Sequence, residues 1–346
     1  MTQTIAVAMS GGIDSLVAAA LLREEGVAVV GVHFFTGYDT HGWIAPHMLR
    51  RATEKIGIPL ETVDCSETFH DRVVVPFVAA YQQGKTPNPC MLCNRFLKFG
   101  VLWERVRALG ADVLATGHYA RIEQDLEGNC RILRGADRAK DQSYFLALLS
   151  RRQIAVAKFP LGALFKSQVR EYARVRGLAG LAGKESRETC FVKEGTYAQF
   201  LADQPGFRFD PGPIVDIHGN LLGTHQGLHA FTIGQRRGIG CPAKEPYYVV
   251  RIEAQGNRLV VGTRRDLLSS RCTVTGINWT ASAPNEPIRA VTQIRYRHRG
   301  AASMLIPTGP SDALVLFDAP QNAVTPGQGA VFYREESVMG GGFIAQ

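Results

Sequence analysis

No apolar stretch in this 346-residue chain approaches the ~20 residues that a membrane-spanning helix requires, and no charged–apolar–small segment opens it. A helical membrane protein and a secreted precursor are therefore not expected. No membrane partner is expected either, and the cytoplasm is the expected compartment. Internal repeats and low-complexity linkers are lacking, which excludes solenoids and tail-like assemblies. Cysteine is sparse and odd in number, seven in all. Without a secretory signal that count argues against a disulfide framework and for chemistry at some of the thiols. The chain also has no nucleotide loop of the Gly-x4-Gly-Lys type. Nor does it have a second Cys-x-x-Cys to complete a four-ligand zinc site.

What remains is a chain of ordinary composition, long enough for two or three domains. Lys and Arg number 39 against 31 for Asp and Glu, a formal charge of +8. The arginines cluster, at Arg151-Arg152, Arg236-Arg237, Arg264-Arg265 and through Arg295, Arg297 and Arg299. Clustering of one sign favours a polyanionic partner over simple solubility.

The first half alternates strand and helix. Strands are expected over Ile5–Met9, Val27–Phe35, Leu60–Val63 and Asp112–Thr116, with helices over Asp14–Glu25, Pro46–Gly57, Glu67–Gln83 and Arg95–Leu109. That order implies an α/β fold with a parallel sheet, whose ligands lie outside the carboxyl ends of the strands. After a last helix over Tyr197–Asp203 the texture turns to short strands. Hairpins are expected over Pro211–Gly227, turning at His218–Asn220, and over Tyr247–Gly262. From Cys272 the pattern suits a small barrel. Soft boundaries near 195 and 269 give three expected domains, 1–195, 196–268 and 269–346.

The chemistry-bearing motifs begin with "SGGIDS", Ser10 to Ser15, between a buried strand and an apolar helix. Two glycines let amides approach an anion, the helix end adds positive potential, and Asp14 suits Mg2+. A plain strand-to-helix turn needs less. The lysine-free pattern resembles the PP-loop of ATP pyrophosphatases, which cleave ATP between the α and β phosphates. In "GKTPNPCMLCNRFLKFG", Cys90 and Cys93 are expected just before a helix, where the helix end would lower a thiol pKa. Cys190 follows a polar loop in "ESRETCFVKEG". His118 stands in "ATGHYAR" at a strand's carboxyl end, and Lys140, Asp141 and Gln142 open "KDQSYFL" as a dense polar run.

Together with "FTIGQRRGIG" and "AVTPGQGAVFY", these motifs resemble the tRNA-specific 2-thiouridylases of the MnmA type, in order and over nearly the whole chain. The resemblance implies a PP-loop (adenine nucleotide α-hydrolase-like) domain, a small central domain and a C-terminal β-barrel. It implies that ATP, with Mg2+, adenylates uridine 34 in the tRNA anticodon stem-loop, and that sulfur then displaces AMP. ATP would be held by Ala8, Met9, Ser10, Gly11, Gly12, Ile13, Asp14 and Ser15, with Phe34 and Gly117 lining the adenosine. Asn88, Pro89 and Cys90 match the target-base segment. His118, Lys140, Asp141, Gln142, Arg295, Tyr296 and Gln328 match tRNA-contacting positions. Cys190 matches the cysteine that receives a persulfide and Cys93 its partner, so the implied catalytic set is Asp14, Cys90, Cys93 and Cys190.

The chain departs from the family pattern in several places. Cys90 replaces a common Asp, and Phe34 replaces a Met. Ser186–Thr189 lacks a glycine, and the segment after the second strand is short. Three cysteines at one site suit a [4Fe–4S] cluster on Cys90, Cys93 and Cys190, with one iron open to sulfide. The sulfur donor is then either a desulfurase or relay protein, or inorganic sulfide. Cys65, Cys130, Cys241 and Cys272 lie in no motif near this site and are expected to be dispensable for sulfur transfer. Competing readings are another adenylating PP-loop enzyme, such as an amide ligase, and a tRNA-binding paralogue without thiolase activity.

Overall fold

The computed structural model describes residues 3–38, 46–183, 189–192, 197–242 and 245–345. The chain divides into two compact units. One comprises Met1–Val73, Cys90–Phe191 and Glu335–Met339, and the other Val74–Pro89, Val192–Arg334 and Gly340–Gln346.

The first unit contains strands β1 (Thr4–Ala8), β2 (Ala28–Phe35), β3 (Leu60–Asp64), β4 (Val113–Ala115), β5 (Ala120–Gln124), β6 (Cys130–Arg134) and β7 (Ala157–Lys158). A five-stranded parallel sheet runs in the order β3-β2-β1-β4-β7. Ile5, Ala6 and Val7 of β1 are fully buried, as expected of a central strand covered on both faces. Helix α1 (Ile13–Glu24) has no polar stripe through its middle, because Ser15 to Ala20 and Leu22 all pack inward. It shares a core with α2 (Pro46–Ile56) through Leu49 and Ala52, and with Val169 and Ala173 further along the chain. Since β1 sits between β2 and β4, the loop after β1 opens at the point where the strand order reverses, which is where such sheets bind ligands.

The other helices are α3 (Ser66–Phe69), α4 (Val75–Gln82, in the second unit), α5 (Pro89–Leu92), α6 (Trp103–Ala108), α7 (Arg151–Ala155), α8 (Lys166–Val175) and α9 (Tyr197–Ala202, in the second unit). The single helix expected over Arg95–Leu109 is not what forms. Pro89 starts a helix earlier, at the position where its missing N–H costs nothing. A wide π-type stretch then covers Cys93–Leu102, broken at Gly100 (φ −108°, ψ −107°), and α6 follows. The Gln153 side chain donates to the carbonyls of Arg95 and Phe99, each at 2.7 Å, and so satisfies backbone acceptors beside the break. The hairpin β5–β6, which the sequence reading passed over, pairs Ala120 with Arg134 and Gln124 with Cys130.

In the second unit, β8 (Gly212–Val215), β9 (Leu221–His225), β10 (Tyr248–Glu253) and β11 (Arg258–Gly262) form a four-stranded sheet in the order β10-β11-β8-β9. Both expected hairpins are present, and Asp216 closes the first by accepting from His218 and Asn220. Ile214, Val249, Leu259 and Val261 form its core with Phe231 and Ile239. The remaining strands are β12 (Leu268–Trp279), β13 (Ile288–Gln293), β14 (Ala301–Gly309), β15 (Asp312–Asn322), β16 (Gly329–Arg334) and β17 (Ser337–Ile344). They follow the order β12-β15-β14-β13-β16-β17, and the pairs Val274–Ile344 and Trp279–Gly340 close the sheet into a barrel. Closure removes the sheet edges, and Trp279 stacks on Phe332 at 5.6 Å.

Candidate active site

The loop after β1 has the form the sequence suggested. Gly11 takes φ +76°, in the left-handed region, and Gly12 is extended as the residue before α1. The loop braces itself with its own hydroxyls. Ser10 accepts from the Gly12 amide and donates to Ser15 Oγ, both at 3.3 Å, and Ser15 donates to the Gly12 carbonyl at 2.9 Å. The amides of Ile13 and Asp14 lie in the first helical turn, where no intrahelical acceptor exists, so they are oriented for an anion. Gly117 follows β4, and a Cβ there would stand 2.8 Å from the Asp14 carbonyl carbon and 2.9 Å from the Ser15 amide nitrogen. Only glycine lets that segment lie so close to the loop. Phe34 is buried at the carboxyl end of β2.

Asp14 is held by two residues the sequence reading did not single out. Lys166 Nζ donates to both of its carboxylate oxygens at 2.7 and 2.8 Å, and the Tyr119 hydroxyl donates to Oδ1 at 2.7 Å. The ammonium also lies 5.7 Å from the centre of the Tyr119 ring. Lys166 is buried, and a buried ammonium requires such partners. The loop therefore meets a lysine from α8 in place of one of its own. A faint signal existed in the sequence, since a cation in a helix's first turn sits at the unfavourable end of the dipole.

"KDQSYFL" faces inward. Asp141 accepts from the Gly135 and Ser143 amides, the Ser143 hydroxyl and Arg134, at 2.9 to 3.1 Å. Gln142 exchanges two hydrogen bonds with the backbone of Tyr119. The odd polar opening of that run is thus explained by internal bracing of the chain around Tyr119, the residue that also holds Asp14. The segment beyond it is a 3-10 turn, Ser143–Leu146, rather than a full helix. Lys140 forms no ion pair among the described residues. His118 is buried and shares a 2.7 Å hydrogen bond with Thr116, and burial, aided by the Lys98 charge, drives its pKa well below the usual imidazole value.

Cys90, Cys93 and Cys190 fall in one electrostatic neighbourhood. Cys90 is reachable by water yet densely surrounded, and burial followed by the Cys93 charge pushes its thiol up to about 11. Burial also raises Cys93. Cys190 rises to about 12 through burial, then Cys93 and Cys90, and Lys98 pulls all three the other way. The expected lowering by a helix end is therefore corrected. Cys90 lies within α5 and Cys93 directly after it, and desolvation of the thiolate outweighs any dipole. Cys65 is closer to this group than its place in the sequence suggested, because its buried thiol, raised to about 11, also feels Cys93. Among the described residues no three His, Cys, Asp or Glu side chains converge closely enough to hold a metal ion. The donors have the chemistry of a cluster site, but their arrangement does not present a ready ligand set. Ser186, Arg187 and Glu188 lie outside the described residues.

In the second unit two quoted motifs meet. Gln328 Nε2 donates to the carbonyls of Thr86 and Pro87 at 3.0 and 3.4 Å, and the Thr86 amide donates to the Pro326 carbonyl at 2.9 Å. Gly327 (φ +89°) permits this, since a Cβ there would stand 2.9 Å from the Thr86 oxygen. Gln328 therefore anchors the strap that leads into Asn88 and Pro89, both buried. Arg295 donates to the Asn322 carbonyl at 3.0 Å, and Tyr296 accepts from Gln293 through its carbonyl. Arg236, Arg237, Arg264, Arg265, Arg297 and Arg299 are exposed, and none forms an ion pair among the described residues.

Sheet order, anion loop and two further β-rich modules define an α/β protein of the nucleotide-binding kind with a terminal barrel. Family models agree along its length. The tRNA methyl transferase HUP domain matches residues 3–194, the tRNA methyl transferase PRC-barrel domain 198–263, and the Aminomethyltransferase beta-barrel domain 269–344. The tRNA-specific 2-thiouridylase MnmA of Desulfosudis oleivorans is 47% identical over 98% of this chain and 94% of its own. That of Syntrophotalea carbinolica is 45% identical over 99% and 98%. The chain belongs to the tRNA-specific 2-thiouridylase family. A solved structure, the U34-tRNA thiolase NcsA from Methanococcus maripaludis with its [4Fe-4S] cluster, covers 55% of this chain and 62% of its own at 19% identity and a TM-score of 0.36. A likeness that weak says nothing about a cluster here.

Proposed function

We propose that this chain replaces the C2 oxygen of uridine 34 in tRNA with sulfur, using ATP to activate the base. The observation that carries the reading is the lysine-free loop whose Asp14 is held by Lys166 and Tyr119, in the same unit as Cys93 and Cys190. The amides of Ile13 and Asp14 would receive ATP phosphate oxygens. Asp14 would hold Mg2+, and Lys166 would then turn its charge towards the phosphates. The C2 oxygen of the uracil attacks the α-phosphorus, the bond to the β-phosphate breaks, and pyrophosphate leaves. The strap through Asn88 and Pro89 and the tRNA-matching residues His118, Lys140, Arg295, Tyr296 and Gln328 would present the anticodon. For Asp141, Gln142 and Gln328 the role is to brace the segments that do so. We place the reaction in the cytoplasm; no helix among the described residues is long and apolar enough to cross a membrane.

Sulfur arrives, in this reading, on Cys190 as a persulfide from a persulfide-bearing donor protein. Its terminal sulfur attacks C2 and expels AMP. Cys93, as thiolate, then attacks the Cys190 sulfur, which leaves the thiocarbonyl on the base and a Cys93–Cys190 disulfide for a cellular thiol to reduce with two electrons. Burial holds both thiols above their ordinary pKa, so the substrate complex would have to favour the Cys93 thiolate. A second reading rests on the mutual electrostatic range of the three thiols. Cys90, Cys93 and Cys190 would hold a [4Fe–4S] cluster, whose chemistry would let inorganic sulfide serve as the donor.

ATP turnover tests the adenylation step. AMP and pyrophosphate are expected, with stimulation by tRNA; release of ADP would overturn it. The Cys90→Asp variant, purified without oxygen, separates the two sulfur readings. Full thiolation with no iron bound supports the thiol relay, whereas loss of both iron and activity supports the cluster.

A further inference from the structure

Cys190 is followed by a deeply buried aromatic side chain. Phe191 is 1% exposed although the described residues around it, 189–192, form no helix or strand. Its ring meets the edge of Phe69 at 5.5 Å and 77°, and Tyr38 at 6.3 Å and 70°. Phe69, at the end of α3, is itself 1% exposed, and Tyr38 packs on it at 5.8 Å. Tyr38 is tied from outside, since its hydroxyl shares a 2.7 Å hydrogen bond with His70 Nδ1 and the two rings stack. Three rings from three separate segments of one unit thus pack together, and both contacts of Phe191 are edge-on, the arrangement aromatic quadrupoles favour.

We propose that Phe191 is a positioning residue for the sulfur-carrying cysteine: seated between Phe69 and Tyr38, it fixes where the Cys190 thiol stands. The inference rests on the sulfur role proposed for Cys190, and it goes beyond that role by naming what holds the thiol in place. A thiol that must accept sulfur and then meet a second thiol loses most of its rate if its segment wanders, because transfer between bound groups depends on their effective concentration. Among the described residues 189–192 no strand or helix fixes the backbone. The adjacent ring does so by burial instead, and its pocket is built from elements of the same unit as Cys93.

The test reads geometry and not thiolation alone. Purified enzyme is treated with diamide, which takes the two electrons and two protons that two thiols give up on forming a disulfide. The bond joining Cys190 to Cys93 or Cys90 is then followed by peptide mass. In Phe191→Ala its formation should slow at least tenfold, while ATP binding stays at the wild-type level. Phe191→Leu should fall between the two. Tyr38→Ala removes one half-buried wall of the pocket and should slow the bond several-fold; it carries the test if Phe191→Ala does not fold. Wild-type rates in Phe191→Ala, or in Tyr38→Ala where the former is unfolded, would overturn the proposal. Full thiolation by Cys190→Ser would remove the sulfur role itself, an outcome that the disulfide rates read separately.

Discussion

At the scale of single residues, the site is organised around one carboxylate with two tethers. Asp14 is common to the loop after β1, to Lys166 and to Tyr119, so a change at any of them is felt at the others. Lys166→Met should lower tRNA-dependent AMP formation by about 10²-fold or more, the usual loss when a charge that stabilises a developing anion is removed. Lys166→Arg should retain part of the rate, and steady-state assays at saturating ATP would show both. His118 gives a pH signature. Its folded pKa is depressed by burial, so below about pH 6.5 the unfolded chain takes a proton that the folded one does not. Stability should therefore fall as pH drops through that window, and remain unaffected by this group above it. Denaturant unfolding of His118→Gln should show a slope shallower than wild type by about 1.4 kcal/mol per pH unit there. Parallel slopes would contradict a neutral buried His118.

At the scale of elements, the sequence was most readable where pattern and packing ask for the same thing. The buried runs Ile5–Ala8 and Gly31–Phe34 and the apolar face of α1 point to a parallel sheet, and the glycines of "SGGIDS" fall where its first loop must bend. Gly117 and Gly327 belong to motifs that could be quoted in advance, but their reason is spatial, the backbone of Asp14 and Thr86 lying within 3 Å of where a Cβ would be. The cysteine helix was misread because apolar periodicity begins after Cys93, whereas Pro89 starts the backbone turn before it. Lys166 was missed for a different reason: its place in a helix's first turn is only a faint mark, and the partner that explains it lies 152 residues away. Thiol acidity was misjudged in sign, since local helix geometry is visible in a sequence and desolvation is not.

At the scale of the whole molecule, both units pair some of their arginines; in the second, Arg251 and Arg258 pair with Glu253 and Arg289 with Asp318. In the first unit Arg121 and Arg138 share Glu336, Arg131 pairs with Glu123, Arg134 with Asp141, and Arg176 with Glu24. In the second unit the six exposed arginines at 236–237, 264–265, 297 and 299 keep their charge uncompensated among the described residues. A polyanion would release counterions on meeting them, so tRNA affinity should fall steeply with salt. The double change Arg297→Glu with Arg299→Glu should weaken tRNA binding and flatten its salt slope by about two phosphate contacts, while ATP binding stays unchanged. Filter binding between low and moderate salt would show it, and a salt-independent affinity would count against a tRNA partner.

Activation by ATP and sulfur insertion are proposed to fall on the same tRNA base, both carried out by this one chain. The most direct measurement is nucleoside mass analysis of anticodon position 34 after incubating tRNA with the purified enzyme, Mg-ATP and a persulfide-bearing donor or sulfide. The account predicts exchange of one oxygen for sulfur at that uridine, in step with AMP release, and its loss in Asp14→Ala and Cys93→Ser. AMP release that leaves every uridine of the tRNA unthiolated would contradict it.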